Sequence, residues 1–366
     1  MVTIRELAKK CGCSASTVSM VLNNRPLARY IPATTKATIR QIAVEMKYQP
    51  NIFAQSLRAN RSYTVGVMVF DITDPYCTYI LRGIENKLNA ASIAYLLFDA
   101  QNNRERFDRN LESMLQRRVD GLILVANSLQ TDPAVLEKVE IPHVPVVVIG
   151  RELRGLEFAS TVVINNHRGG YIALEHLYTL GHREIAFIRG PKTIADSVLR
   201  WEGIGKFAKE ANLKISREWT LELVEVPTTS AEGLEAVKSL LHAGRRRFSA
   251  VLAFDDMTAL GVIRGLSEAG LEVPRDCSVI GFDDIDAAGY YNPPLTTVRQ
   301  PMLRMGEEAA SALLDYVNAG QKKRKAQVVH RVLEPEIVVR RSTGPVHKAQ
   351  KKTAGQLHEA RKSGEQ

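Results

Sequence analysis

Nothing in this 366-residue chain approaches the ~20 uninterrupted apolar residues that a membrane span needs, and its first residues carry no apolar signal segment. A soluble, cytoplasmic protein with no membrane partner is therefore expected. Cysteine is scarce: Cys11, Cys13, Cys77 and Cys277 suit a reducing compartment and exclude a disulfide framework. Cys11 and Cys13 have no second Cys or His pair nearby, so they read as small apolar fillers rather than metal ligands. The motifs of catalysis are missing as well. There is no GxSxG and no HExxH, and GPKT near Gly190 lacks the Walker spacing. Gly203, Gly205 and Ala208 satisfy GxGxxA, but the preceding SVLRWE reads as helix, which favours helix packing over a dinucleotide site. His176 and His182 lie six apart, off a shared metal-facing turn, and read as cap or surface residues. No catalytic residue, cofactor or metal is expected.

What the sequence does contain is an uneven charge. The formal net charge is +9, of which residues 1 to 62 carry +8, residues 345 to 366 carry +3 and the long body between carries −2. Concentrated Lys and Arg on a small head favour phosphate neutralisation and counterion release, the electrostatic footprint of nucleic-acid binding. With 45% hydrophobic residues the chain can bury two or three separate cores.

The head reads as three short helices. Thr3 and Glu6 form a capping box, and Ile4, Leu7, Ala8 and Cys11 share one apolar face of a helix over about Ile4 to Lys10. Gly12 permits a tight bend, Ser14 can cap a second helix, and Val18, Val21 and Leu22 give that helix its own stripe. This is a helix-turn-helix. A third helix follows, with Pro32 suited to its first turn and Ile39, Ile42, Ala43 and Met46 on its face. Ser16, Thr17, Ser19 and Met20 leave the outer side of the second helix short and uncharged, able to enter a major groove. The stretch from Arg25 to Ile31 is a long connection. Pro50 then ends the third helix, Asn51 can cap another, and that next helix, Ile52 to about Ala59, is too short to be stable alone.

From Thr64 onward short β-rich runs alternate with helical stretches: TVGVMVF, AYLLF, GLILV and PVVVIG, then, from near Gly181, EIAFI, LELVEV, AVLAF and CSVIGF. Helices are expected up to about Ala91, up to Arg118, near Val135, over Trp201 to Ala211, up to Leu241 and over Met257 to Glu268. This βαβ periodicity predicts parallel sheets with helices on both faces, and two similar sets predict two lobes. Ligands of such sheets bind beyond the carboxyl ends of the strands, which singles out Asp74, Tyr76, Asp255 and Asp283, with Arg200 beside its helix. Carboxylates and a guanidinium around an aromatic ring suit a polyhydroxylated ligand. An Asp after a strand can equally cap a helix, and that reading stands beside the ligand reading for Asp74 and Asp255.

The ordered motifs TIRELAKKCGCSASTVSMVLNN, YQPNIFAQSLRANRSYTVGV, DITDPY, SVLRWEG, AFDDMTALGVIRGL and VIGFDDIDAAGYYNPPLTTVRQP resemble those of the lactose/galactose repressor (LacI/GalR) family of bacterial transcriptional regulators, over about residues 2 to 343. The resemblance implies a small all-α helix-turn-helix head on an α/β, two-lobed, periplasmic-binding-protein-like effector domain. It implies base readout by Ala15, Ser16 and Met20, and phosphate positioning by Thr17, Ser19, Asn23, Tyr48 and Asn51. It implies a hinge helix in the minor groove with Leu57 as the wedge and Ala54 beside it, and effector contacts from Asp74, Tyr76, Arg200, Asp255 and Asp283. The sequence departs from the family where Cys77 replaces a second aromatic and Asp255 replaces a frequent Asn, which opens a different hydroxyl pattern or a cationic ligand. Ala15 and Met20 cannot make bidentate hydrogen bonds to bases, so operator preference does not carry over.

The expected organisation is a helix-turn-helix over 1–47, a hinge over 48–62, an effector and dimerisation domain over 63–343, and a disordered basic tail over 344–366. Lobe one takes 63–181 and 298–328, and lobe two takes 182–297 and 329–343. The expected function is a homodimeric repressor that binds a pseudo-palindromic double-stranded DNA operator under allosteric control by a small molecule, a sugar or related metabolite. A sugar-binding receptor without DNA function is the alternative.

Overall fold

The computed structural model describes residues 2–23, 25–48, 61–126, 144–151, 159–224, 228–242, 248–321 and 327–346. Asn51, Ala54 and Leu57 of the expected hinge, and the helix expected near Val135, lie outside these residues. The chain divides into two units, Met1–Ser62 and Tyr63–Gln366.

The first unit holds α1 (Ile4–Cys11), α2 (Ala15–Leu22) and α3 (Ala33–Glu45). The capping box forms in full: Thr3 Oγ1 accepts from the Glu6 amide at 3.3 Å while the Glu6 carboxylate accepts from the Thr3 amide at 2.7 Å. Gly12 then turns the chain at φ +63°, a conformation that favours glycine, and Ser14 accepts from the Thr17 amide at 3.1 Å to start α2. Leu7, Ala8, Val18, Val21, Ile39 and Ala43 form the core, with the free Cys11 and Cys13 packed against it. Pro32 stands just ahead of α3, at its N-cap, rather than in its first turn. The long connection folds into a 3-10 turn, Pro26–Tyr30, anchored by buried Ala28.

The second unit contains two six-stranded sheets. One is built from β1 (Thr64–Val69), β2 (Ala94–Asp99), β3 (Gly121–Val125), β4 (Val146–Ile149) and β5 (Ala159–Ile164), and the other from β6 (Ile185–Arg189), β7 (Thr220–Glu222), β8 (Ala250–Ala253), β9 (Ser278–Asp283) and β10 (Thr296–Arg299). β11 (His330–Leu333) returns to pair parallel with β5, and β12 (Glu336–Val338) joins β10 antiparallel. Every other strand pair is parallel, and the central strands β3, β4 and β8 are buried along their whole length, as parallel strands covered on both faces must be.

The helices of this unit are α4 (Pro75–Ala90), α5 (Arg104–Gln116), α6 (Asn166–Thr179), α7 (Ala195–Glu210), α8 (Ser230–His242), α9 (Asp256–Glu268), the short α10 (Asp286–Tyr290) and α11 (Met302–Gln321). Because α6 packs on α7 and on strands of the second sheet, the chain leaves the first lobe after Ile164, not at 181. It returns between Arg299 and Met302 and crosses again between Leu333 and Glu336, rather than at 297 and 328. β5 and α6 went unread in the sequence, although Asn165 carries the start signal: its side chain accepts from the Arg168 amide at 2.9 Å.

The glycines of the GxGxxA pattern lie inside α7, and Gly203 serves helix packing. A Cβ there would sit 1.9 Å from the His167 carbonyl oxygen of α6, and one on Gly170 would sit 2.0 Å from that of Arg200. His182 is buried rather than on the surface. Its Nε2 lies 3.0 Å from the Gly344 carbonyl and its Nδ1 2.8 Å from Ser249 Oγ, so the neutral ring donates to the carbonyl and accepts from the hydroxyl. The Val346 amide donates to Leu180 at 3.2 Å, so the chain stays packed beyond the expected boundary at 344. Among the described residues no helix is long and apolar enough to cross a membrane.

Candidate functional site

On the head, α2 carries Ala15, Ser16, Thr17, Ser19 and Met20, with Asn23 at its C-cap and Tyr48 beyond the end of α3. Ser16 is exposed, Met20 half-buried, and Ala15 and Tyr48 partly spent on packing against the small core. Thr17 Oγ1 pairs with Ser14 Oγ at 2.9 Å, and Asn23 donates back to the Ser19 carbonyl at 2.8 Å. Beyond them the 3-10 turn presents Leu27 and Tyr30, 60% and 71% exposed, with the Arg29 guanidinium donating to the Tyr30 hydroxyl at 2.6 Å.

In the second unit, all five expected effector residues line one cavity of about 220 Å³ between the carboxyl ends of the two sheets. Lobe one supplies Phe70, Asp74, Tyr76, Gly150 and Arg151; lobe two supplies Asp196, Arg200, Thr228, Phe254, Asp255, Asp283 and Gln300. Asp74 and Asp255 each cap a helix and also line the cavity. Asp74 accepts from the Tyr76 amide at 2.9 Å to open α4, and Asp255 accepts from the Thr258 amide at 2.7 Å to open α9 while the Thr228 hydroxyl donates to its other oxygen.

Arg200 does not precede its helix interior, as the sequence suggested, but stands in the second turn of α7. The helix begins early because Ile194 occupies the N-cap without a side-chain cap bond, so no capping residue marks the start. The guanidinium is fixed on every side. Nε donates to Asn166 at 2.9 Å, Nη1 to the Phe254 carbonyl at 2.9 Å, and Nη2 lies 3.7 Å from Asp283 Oδ1, with the Phe282 ring 3.6 Å away. Asp283 itself adopts φ +112°, a strained conformation for a residue with a side chain. Gln300 holds it there, donating Nε2 to its carboxylate at 2.5 Å.

Burial dominates the electrostatics. It pushes Asp74 up to about 6, aided by the negative charges of Asp255 and Asp71 and opposed by the Tyr76 amide. It raises Asp196 and, well above the usual carboxylate range, Asp283, in both cases against the opposing charge of Arg200. Tyr76 Oη and Gln300 Oε1, on residues of the wall, have no hydrogen-bond partner among the described residues. Sequence reasoning missed Gln300, Asp196 and Arg151. Gln300 was within reach, since it directly follows β10 and so obeys the same carboxyl-end rule that selected Asp283.

The head and body each match a known kind of domain. Residues 3–51 match the bacterial regulatory proteins of the lacI family, and residues 174–343 match a periplasmic binding protein-like domain. The chain is 33% identical over 344 residues to the HTH-type transcriptional repressor PurR of Pasteurella multocida (strain Pm70), an alignment covering 93% of this chain and 98% of that protein. The chain belongs to the lacI family of bacterial regulatory proteins. It is a DNA-binding transcriptional repressor with a small-molecule effector, and it is not an enzyme. Among solved structures, this lacI-family repressor is similar to the transcriptional regulator CelR–cellobiose complex, with 27% identity, a TM-score of 0.69 and coverage of 93% of this chain and 100% of that one. A LacI family transcriptional regulator from Enterococcus faecium with bound ribose is 31% identical, with a TM-score of 0.66, over 78% of this chain and 100% of that one. The lac repressor dimer bound to operator, at 24% identity and a TM-score of 0.79, shares the fold.

Proposed function

We propose that the effector is a sugar or sugar derivative bound in the interlobe cavity, and that the repressor acts as a homodimer on a pseudo-palindromic operator in the cytoplasm. The observation that carries the effector reading is the cavity wall. A fixed guanidinium, several carboxylates and the ring of Tyr76 converge on it, and the buried Tyr76 Oη and Gln300 Oε1 lack partners among the described residues. The cellobiose and ribose bound by the similar regulators support the same ligand class. Effector that favours one arrangement of the lobes shifts the population and changes operator affinity. A thermal-shift screen of sugars, sugar derivatives and non-sugar metabolites, followed by operator titration with each hit, tests this. Stabilisation by a sugar that also changes operator affinity upholds it, and hits confined to non-sugar metabolites refute it.

For the DNA side, Ser16, Met20 and Ala15 face the bases, Thr17, Ser19, Asn23, Tyr48 and Asn51 position phosphates, and Leu57 with Ala54 wedges the central step. Leu57→Ala is then expected to lose most of the preference for specific over random DNA while keeping salt-dependent nonspecific binding. A competition assay showing unchanged specificity would remove the wedge.

A further inference from the structure

Four carboxylates and two guanidinium groups line the cavity, and they are not evenly matched. Arg200 is consumed by Asn166, the Phe254 carbonyl and Asp283, and Asp196 feels the positive charges of Arg200 and Arg151. That leaves Asp74 and Asp255, one from each lobe. The charges acting on Asp74 are those of Asp255 and Asp71, both negative, so the two cap carboxylates repel each other across the cleft. A second observation points the same way. Gln300, which lines the cavity, is 3% exposed, and its Oε1, an atom that can only accept, has no hydrogen-bond partner among the described residues. Gln300 Oε1 therefore asks for a hydrogen-bond donor, and the two cap carboxylates ask for a cation. A metal ion is the poorer occupant, because the described residues include no group of three or more His, Cys, Asp or Glu side chains arranged to hold one.

We propose that the effector is an amino sugar whose protonated amine sits between Asp74 and Asp255 while a hydroxyl donates to Gln300 Oε1. This rests on the interlobe cavity being the sugar site. The ammonium replaces a repulsion between the lobes with two attractions, so it draws them together where a neutral sugar does not, and a phosphorylated or carboxylated sugar is repelled.

The full chain should be titrated by calorimetry with glucosamine, galactosamine and mannosamine, each beside its parent hexose and its N-acetyl form, which keeps the ring and removes the charge. At least one amine should bind about 30-fold or more tightly than both of its neutral counterparts, as charge-assisted hydrogen bonds give roughly tenfold or more each. Asp74→Asn and Asp255→Asn retain helix caps and should each erase about tenfold of that preference without weakening the neutral hexose comparably. A parent hexose that binds as tightly as its amine overturns the proposal and leaves the sugar reading intact. An amine preference untouched by either Asn variant overturns the placement. Absence of binding by any of the nine compounds at 10 mM, roughly the weakest affinity that calorimetry reads, overturns the amino-sugar proposal and leaves the sugar reading to the thermal-shift screen.

Discussion

The two lobes share one plan and divide the work differently. Each sets a capping aspartate at the cleft, Asp74 ahead of α4 and Asp255 ahead of α9, and in each a helix pair crosses on small residues. A Cβ on Gly83 would fall 2.1 Å from the Leu303 carbonyl oxygen in lobe one, as one on Gly203 would fall 1.9 Å from that of His167 in lobe two. Beyond that the symmetry ends. Lobe two carries a prebuilt charged shelf in which Arg200, Asp283 and Gln300 hold one another, and Asp256 behind them accepts from the Ile285 amide at 2.9 Å and from the Thr297 hydroxyl. Lobe one presents the Phe70 and Tyr76 rings, stacked at 6.3 Å, with one cap carboxylate and the Arg151 guanidinium.

Breaking the shelf should have the largest effect. Arg200→Ala leaves Asn166 and the Phe254 carbonyl without their donor and opens the space beside Asp283, and is expected to cost about 3 to 5 kcal/mol of stability, read by denaturant unfolding. A loss no larger than that of a surface arginine would mean the network is not preformed. The helix crossings should behave alike in both lobes: Gly83→Ala and Gly203→Ala each force backbone apart and should cost about 1 to 3 kcal/mol. A large effect in one lobe only would show that the shared plan is superficial.

The cap carboxylate of lobe one offers a test with a sign. Asp74 is raised from its ordinary value to about 6, so the native state favours the proton, and ionising the group costs stability as pH rises from about 4 through 6. Asp74→Asn, which can still cap, should therefore melt with wild type below pH 4 and higher than wild type above pH 6. The smallest effect is expected from Tyr76→Phe, since the hydroxyl it removes is buried and has no partner. Stability should hold or rise slightly while effector affinity falls, and unchanged affinity would take that hydroxyl out of the site.

Much of this was legible in local sequence. The Thr3–Glu6 box, the Ser14 cap and the alternation of apolar strands with helices each rest on short-range rules, and they gave the helix-turn-helix and the two parallel sheets. The lobe exchange was harder to read. α6 is an ordinary amphipathic helix, and its packing on α7 and on strands of the second sheet, formed in space, assigns it to the second lobe. His182 was misread for the same reason: its partners Ser249, Ser278 and Gly344 are 67 to 162 residues away. In the cavity, residues at strand ends were found by position. Asp196, in the first turn of a helix without a capping side chain, carried no such mark.

The central claim is that a small molecule in the cleft controls operator binding through residues that do not touch DNA. It is tested most directly by measuring operator affinity of full-length wild type, Arg200→Ala and Asp283→Asn, with and without an effector identified by thermal shift. Folded variants that bind operator within a few fold of wild type but no longer respond to effector are the predicted result. A wild-type dose response in either variant would contradict the account.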